Sequence, residues 1–157
     1  MLNLNYATLA RAYRRFSTLA DADLFASLGW ADRIGTPGYR RTDALHLSLA
    51  LISCKAPLNG PLRVLDGPLR GGRPDAAANR LAFWLRHHQG EPERLAGEQG
   101  ADVASDALAT RRGIAAFMQR TGPGGGQIVL LDGRNASAVC ARAQTCHPYE
   151  IHLWPLA

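Results

Sequence analysis

Few side chains in this 157-residue chain are suited to chemistry. Asp43 and His46 stand three apart, so on a helix they would share a face as a carboxylate–imidazole pair for acid–base work. A structural reading competes, in which Asp43 favours a helix start and His46 is a satisfied core histidine. Cys140 and Cys146 flank a short segment, with His147 and His152 close by in sequence. A disulfide is favoured there over zinc, because the spacing is not that of a finger and two further ligands would be needed. Two free thiols are the third alternative, and no metal site is expected. Cys54 ends an apolar run and reads as a buried, inert thiol.

Other conspicuous groups have structural explanations. His87-His88 closes a helix, where an imidazolium suits the dipole. Gly122-Pro123-Gly124-Gly125-Gly126 lacks the Lys-Ser/Thr tail of a phosphate loop and reads as a hairpin tip. Glycoside hydrolysis needs two carboxylates, and sequence alone does not pair Asp43 with Glu150 or Asp132. No cofactor is expected.

The elements that must position these residues follow from periodicity. Leu9, Ala12, Tyr13 and Phe16 make one face of a helix over Tyr6 to Phe16, and a short helix over Asp21 to Leu28 stops at Gly29. Thr42 reads as the N-cap of a helix to about Ser53 that is apolar nearly all round, hence central and buried. The Pro- and Gly-rich run from Lys55 to Pro74 is an irregular excursion with a short strand at Leu62 to Leu65. Asp75 is expected to cap a helix through His88, with Leu81, Trp84, Leu85 and His88 on one face. Gly113 to Met118 and Gln127 to Leu131 read as strands joined by the turn Thr121 to Gly126, with weaker strands at Val139 and at Ile151 to Trp154. Helices first and strands later argue an α+β fold.

With 46% hydrophobic and 20% charged residues, one domain over 1–157 is expected to bury a real core. The longest apolar stretch, Ala44 to Cys54, is too short to span a bilayer. Arg11, Arg14 and Arg15 stand where the apolar region of a leader would lie, so no signal peptide is expected. Eighteen Lys and Arg against thirteen Asp and Glu give +5, with Lys55 the only lysine. The arginines are scattered rather than striped with aromatics, which disfavours a nucleic-acid binder. A modest positive field suits an anionic envelope polymer, and a coding bias toward Arg and Ala explains the composition equally well.

The order of segments is similar to that of the type VI secretion amidase effectors of the fourth family, small papain-like enzymes injected into rival bacteria to cut cell-wall peptides. An aromatic N-terminal helix leads through Gly38-Tyr39 to Thr42-Asp43-Ala44-Leu45-His46-Leu47-Ser48-Leu49-Ala50-Leu51, which resembles the family's central helix. Phe83-Trp84-Leu85 with Gly90-Glu91-Pro92-Glu93 resembles its aromatic helix and stop, and Arg112-Gly113-Ile114 the start of its next strand. Gln127-Ile128-Val129-Leu130-Leu131-Asp132-Gly133 falls where its catalytic strand would be. Cys140, Cys146 and the ending Leu153-Trp154-Pro155-Leu156 complete the likeness.

The resemblance implies a papain-like α+β domain, with the buried helix packed on a C-terminal antiparallel sheet. It also implies a cysteine at the head of that helix and a histidine at the start of the later strand. Asp43 stands at the cysteine position and Gln127 at the histidine position, and no acidic residue between Cys140 and Cys146 matches the third polar member. A shift of one residue offers Thr42 or Ala44, still no thiol. A carboxylate at a helix N-terminus is a poor nucleophile toward an amide, and glutamine cannot shuttle a proton. The expectation is an antibacterial effector-like pseudoenzyme. It would leave the bacterial cytoplasm by secretion, act in a target periplasm and hold peptidoglycan around Asp43, His46 and Gln127, with Tyr39 and Thr42 in contact. A cognate immunity protein is the partner implied. The rival expectations are a hydrolase using Asp43 with His46 or another carboxylate on a glycan or other envelope substrate, and a non-catalytic protein-binding module.

Overall fold

The computed structural model describes residues 2–36, 42–120 and 126–157. The loop around Pro37-Gly38, Tyr39 and most of the Thr121–Gly126 turn lie outside these residues. The chain packs as two compact units, one of residues 7–76 and one of residues 1–6 with 77–157.

The first unit is helical. Helices α1 (Tyr6–Ser17), α2 (Asp21–Ser27) and α3 (Asp43–Ser53) fall where periodicity places them, with a 3-10 turn at Ala31–Arg33. Leu24, Phe25, Leu28 and Trp30 close on Leu45, Leu49 and Val64 in one cluster. Truncating a leucine such as Leu49 there costs about 2–5 kcal/mol. Seven of the eleven residues of α3 are buried, so its helicity comes from packing rather than from an amphipathic surface. The wholly buried Ser48 accepts the Asp75 N–H at 3.2 Å and has its hydroxyl 3.0 Å from the Asp75 carbonyl. That ties the end of the excursion to the middle of α3.

Three local expectations are corrected here. Thr42 occupies the N-cap position, but at φ −113°, ψ 0° its side chain makes no cap hydrogen bond, because capping needs an extended backbone. Asp75 does not cap the next helix; it is buried against Ser48, and α4 (Ala78–His88) starts three residues later. Leu62 to Leu65 form no strand. Instead the Val64 N–H donates to Gly72 O (2.9 Å) and the Gly71 N–H to Val64 O (2.8 Å), which folds this stretch into a tight arm.

The second unit carries a four-stranded antiparallel sheet in the order β1-β4-β2-β3, formed by β1 (Glu93–Ala96), β2 (Arg112–Met118), β3 (Gln127–Asp132) and β4 (Glu150–Pro155). Register is set by pairs such as Ala115 with Val129 and with Leu153. Alternation sends Ala115, Phe117, Val129, Leu131, Ile151 and Leu153 into one core. Helices α5 (Ala101–Leu108) and α6 (Ala136–Ala143) close that core through Ala104, Leu108, Val139 and Cys140. Helix α4 packs against β2 and β3. A 3-10 turn, Gln144–Cys146, follows α6.

Val139 is therefore helical, not a strand. The Asp132 carboxylate accepts the N–H groups of Arg134 and Asn135 (2.8 and 2.9 Å), while the Asn135 side chain bonds Asp132 N and Leu130 O. This turn launches α6 and overrides the strand propensity of one valine.

The disulfide expectation also fails, since Cys140 and Cys146 are not joined by a disulfide. The chain between them is helical, and six residues at roughly 1.5–2 Å of rise span about 9–12 Å along an axis, beyond disulfide reach.

Gly113 (φ +146°) is where β2 meets the end of β4: a Cβ there would stand 2.2 Å from the Trp154 carbonyl oxygen. Gly113→Ala is expected to lower the melting temperature by roughly 5 °C or more, from about 2 kcal/mol of strain and lost pairing. Thermal denaturation followed by circular dichroism measures it.

Candidate functional site

In the helical unit, Asp43 opens α3 and is the acid of its first turn. An anion there meets the positive end of the helix. The Thr42 carbonyl accepts the His46 N–H at 2.8 Å, the first bond of the helix ladder. His46 lies one turn beyond Asp43, and both are half-buried while Ala44, Leu45 and Leu47 are buried, so α3 presents them on one face. Tyr13 meets the His46 ring edge-on with centroids 6.3 Å apart. Burial holds the imidazole below its ordinary pKa, partly offset by the attraction of Asp21. Nε2 of His46 is buried with no hydrogen-bond partner, so the neutral ring is the stable form. Tyr39 lies outside the described residues.

In the sheet unit, Gln127 opens β3 opposite Phe117 and is half-buried. Its position is fixed through the preceding residue. The Gly126 N–H donates to Gln119 Oε1 (3.1 Å), and Asn79 Nδ2 at the start of α4 donates to the Gln119 carbonyl (2.9 Å). Gly126 has φ +83°, and a Cβ there would lie 2.3 Å from the Phe117 carbonyl oxygen, so only glycine lets the hairpin close on this brace.

The remaining candidates take structural places. His87 and His88 place Nδ1 at 3.0 and 2.9 Å from the carbonyls one turn back, and the His88 ring stacks on Trp84. Asp132 is occupied in the turn before α6. Cys54 follows α3 as its C-cap and is half-buried rather than buried, because the helix end faces the surface. Burial pushes its thiol up and Arg15 partly offsets this. Burial likewise pushes the Cys140 thiol up. Among the described residues no three His, Cys, Asp or Glu side chains gather as a metal site.

One polar constellation escapes sequence reasoning. His152 Nε2 lies 2.6 Å from Glu150 Oε1, and Arg94 Nη1 reaches the same oxygen at 3.6 Å. Arg94 also holds Glu91, which Arg86 shares, and the two guanidiniums keep the Glu91 carboxyl below the usual carboxylate range. Glu150 and His152 are two apart on a strand and so share a sheet face, which was the available signal.

No family model matches the chain, and no curated protein matches it. Solved structures do. A chain of the effector–immunity system Tae4/Tai4 from Salmonella typhimurium aligns with TM-score 0.73 at 18% identity, over 99% of this chain and 100% of that one. A chain of the type VI effector–immunity complex Tae4–Tai4 from Enterobacter cloacae gives 0.72 at 13%, over 99% and 100%. The type VI effector Tae4 from Enterobacter cloacae gives 0.68 at 12%, over 99% and 98%. The fold of this chain is that of the Tae4 effectors.

The depressed His46 pKa has a pH consequence. Below the ordinary histidine value of about 6.5, the unfolded chain binds a proton that the folded chain resists. The stability tied to neutral His46 is complete above that value and is lost as pH falls through it. Melting temperatures from pH 7.5 to 5 are expected to fall more steeply for the natural protein than for His46→Gln; parallel curves would contradict this.

Proposed function

We propose that this protein is an antibacterial effector-like protein of the type VI secretion class that binds peptidoglycan in a target periplasm and has no cysteine-amidase activity. The full-length likeness of fold to the Tae4 effectors supports the class. The observation that carries the loss of chemistry is Asp43 in the first turn of α3, where the resemblance in sequence implies a thiol. A helix N-terminus lowers the pKa of a thiol and makes it nucleophilic; the same field stabilises a carboxylate as a spectator anion. Gln127 at the head of β3 offers an amide that donates and accepts hydrogen bonds, suited to holding a peptide or an N-acetyl group. A cognate immunity protein is the proposed protein partner, since solved relatives are effector–immunity complexes.

A second reading keeps catalysis, with Asp43 and His46 as a new acid–base pair on a glycan or other envelope substrate. The neutral, unpartnered Nε2 of His46 favours it. Asp43→Asn separates the two when expression is directed to the periplasm of a host. An unchanged phenotype fits the binding reading, and abolished toxicity fits the acid–base pair.

Binding itself is tested by co-sedimentation with purified sacculi. The natural protein is expected to pellet with the wall, and Gln127→Ala to weaken retention about five- to tenfold, the worth of one or two hydrogen bonds. Failure to pellet at low salt overturns wall binding in favour of a protein-binding module.

A further inference from the structure

The helical unit holds a pocket of about 220 Å³ at the C-terminal end of α3, where Ser53 lines it. Ten residues of helix, about 15 Å, separate Ser53 from Asp43, so this pocket is distinct from the site described above. It is smaller than the roughly 300–1,000 Å³ of cavities for drug-sized ligands and suits a group the size of one amino acid.

Its polar lining offers both acceptors and a cation. The Ser27 hydroxyl donates to Leu24 O (2.6 Å) and the Ser53 hydroxyl to Leu49 O (3.0 Å). Their hydrogens are thus committed to their own helices, and the oxygens offer lone pairs only. Helices α1, α2 and α3 all end beside this pocket, and each end adds negative partial charge. Asp66 adds a carboxylate, oriented by the Gly67 N–H that donates to its Oδ1 at 2.8 Å. These acceptors suit an ammonium group. Arg15 is the cation lining the pocket, with its guanidinium 6.0 Å from the Phe16 ring centroid, and it suits a carboxylate. Phe16, Leu28 and Leu69 supply an apolar floor.

The arm that forms one side is held by its own backbone. The Leu65 N–H donates to Leu28 O at 3.0 Å, the Arg70 N–H to Gly67 O at 3.1 Å and the Gly72 N–H to Leu69 O at 2.8 Å. A pocket built this way needs little ordering when a ligand enters.

We propose that this pocket binds a free aliphatic α-amino acid. Its ammonium meets Asp66 and the two serine oxygens, its carboxylate meets Arg15, and its side chain lies on Phe16, Leu28 and Leu69. The proposal stands independently of wall binding, because it uses none of the residues assigned to that role.

The test is a nuclear magnetic resonance titration of the full chain with leucine. Saturable shifts are expected at Ser27, Leu28 and Leu69, with a dissociation constant on the order of 1 mM. Leucinamide, which lacks the carboxylate, and N-acetylleucine, which lacks the ammonium, are expected to bind at least about tenfold more weakly. Arg15→Gln and Asp66→Asn are each expected to weaken leucine about tenfold. Both residues are exposed, so the melting temperature should hold in both variants. Leu69→Trp should fill the floor and abolish binding with both charges intact. The proposal is overturned if no saturable shift develops up to about 20 mM leucine, or if both charge variants bind as the natural protein does. Tighter binding of a peptide blocked at both ends would overturn it equally.

Discussion

A helix buried along most of its length still ends in N–H groups that its own turns cannot satisfy, and the fold must place something negative or polar there. In α3 Thr42 makes no side-chain cap, and Asp43 is the acid of the first turn. The same electrostatic field that would activate a thiol makes a carboxylate a contented, unreactive anion. On the proposed reading, chemistry at this point changes with one side chain while the cluster of Leu45, Leu49 and Trp30 is kept.

Burial has a second consequence one turn further on. The same packing that holds α3 in place lowers the pKa of His46, against the attraction of Asp21, beside the acidic first turn that Asp43 supplies. In the sheet unit the constraint is geometric rather than electrostatic. Gly113 admits the backbone of Trp154, and Gly126 admits that of Phe117. Side-chain bonds from Asn79 and Gln119 then fix the strand that begins with Gln127. Exposed ion pairs such as Arg111 with Glu93 and Arg120 with Glu98 add little to stability individually, so rigidity rests on the core and on these backbone contacts.

Elements with a strong pattern were legible in the sequence: α1 from Leu9, Ala12 and Phe16, α3 from its apolar run, and β2 and β3 from short continuous apolar runs, buried on both faces. Short elements settled by tertiary contacts were not. Strand β1 is four residues long and mostly exposed, so it carries no alternation to detect. Helix α5 buries only Ala104 and Leu108, and an N-cap Gly100 with no side chain hides its start. Side-chain hydrogen bonds misled twice, since the Ser48 hydroxyl draws the Asp75 backbone inward and Asp132 with Asn135 turned an apparent strand into α6. The neutral state of His46 depends on burial that spacing cannot supply. Spacing put Glu150 and His152 on one strand face, but the bond between them depends on side-chain rotamers.

The account turns on whether a carboxylate at the head of α3 leaves the protein unable to cut wall peptides. Purified sacculi incubated with the protein, then analysed by mass spectrometry for newly freed ends, test this most directly. The expected fragment pattern is identical to that of untreated sacculi. New amino and carboxyl ends within the stem peptides, at a rate comparable with an active amidase effector, would contradict it.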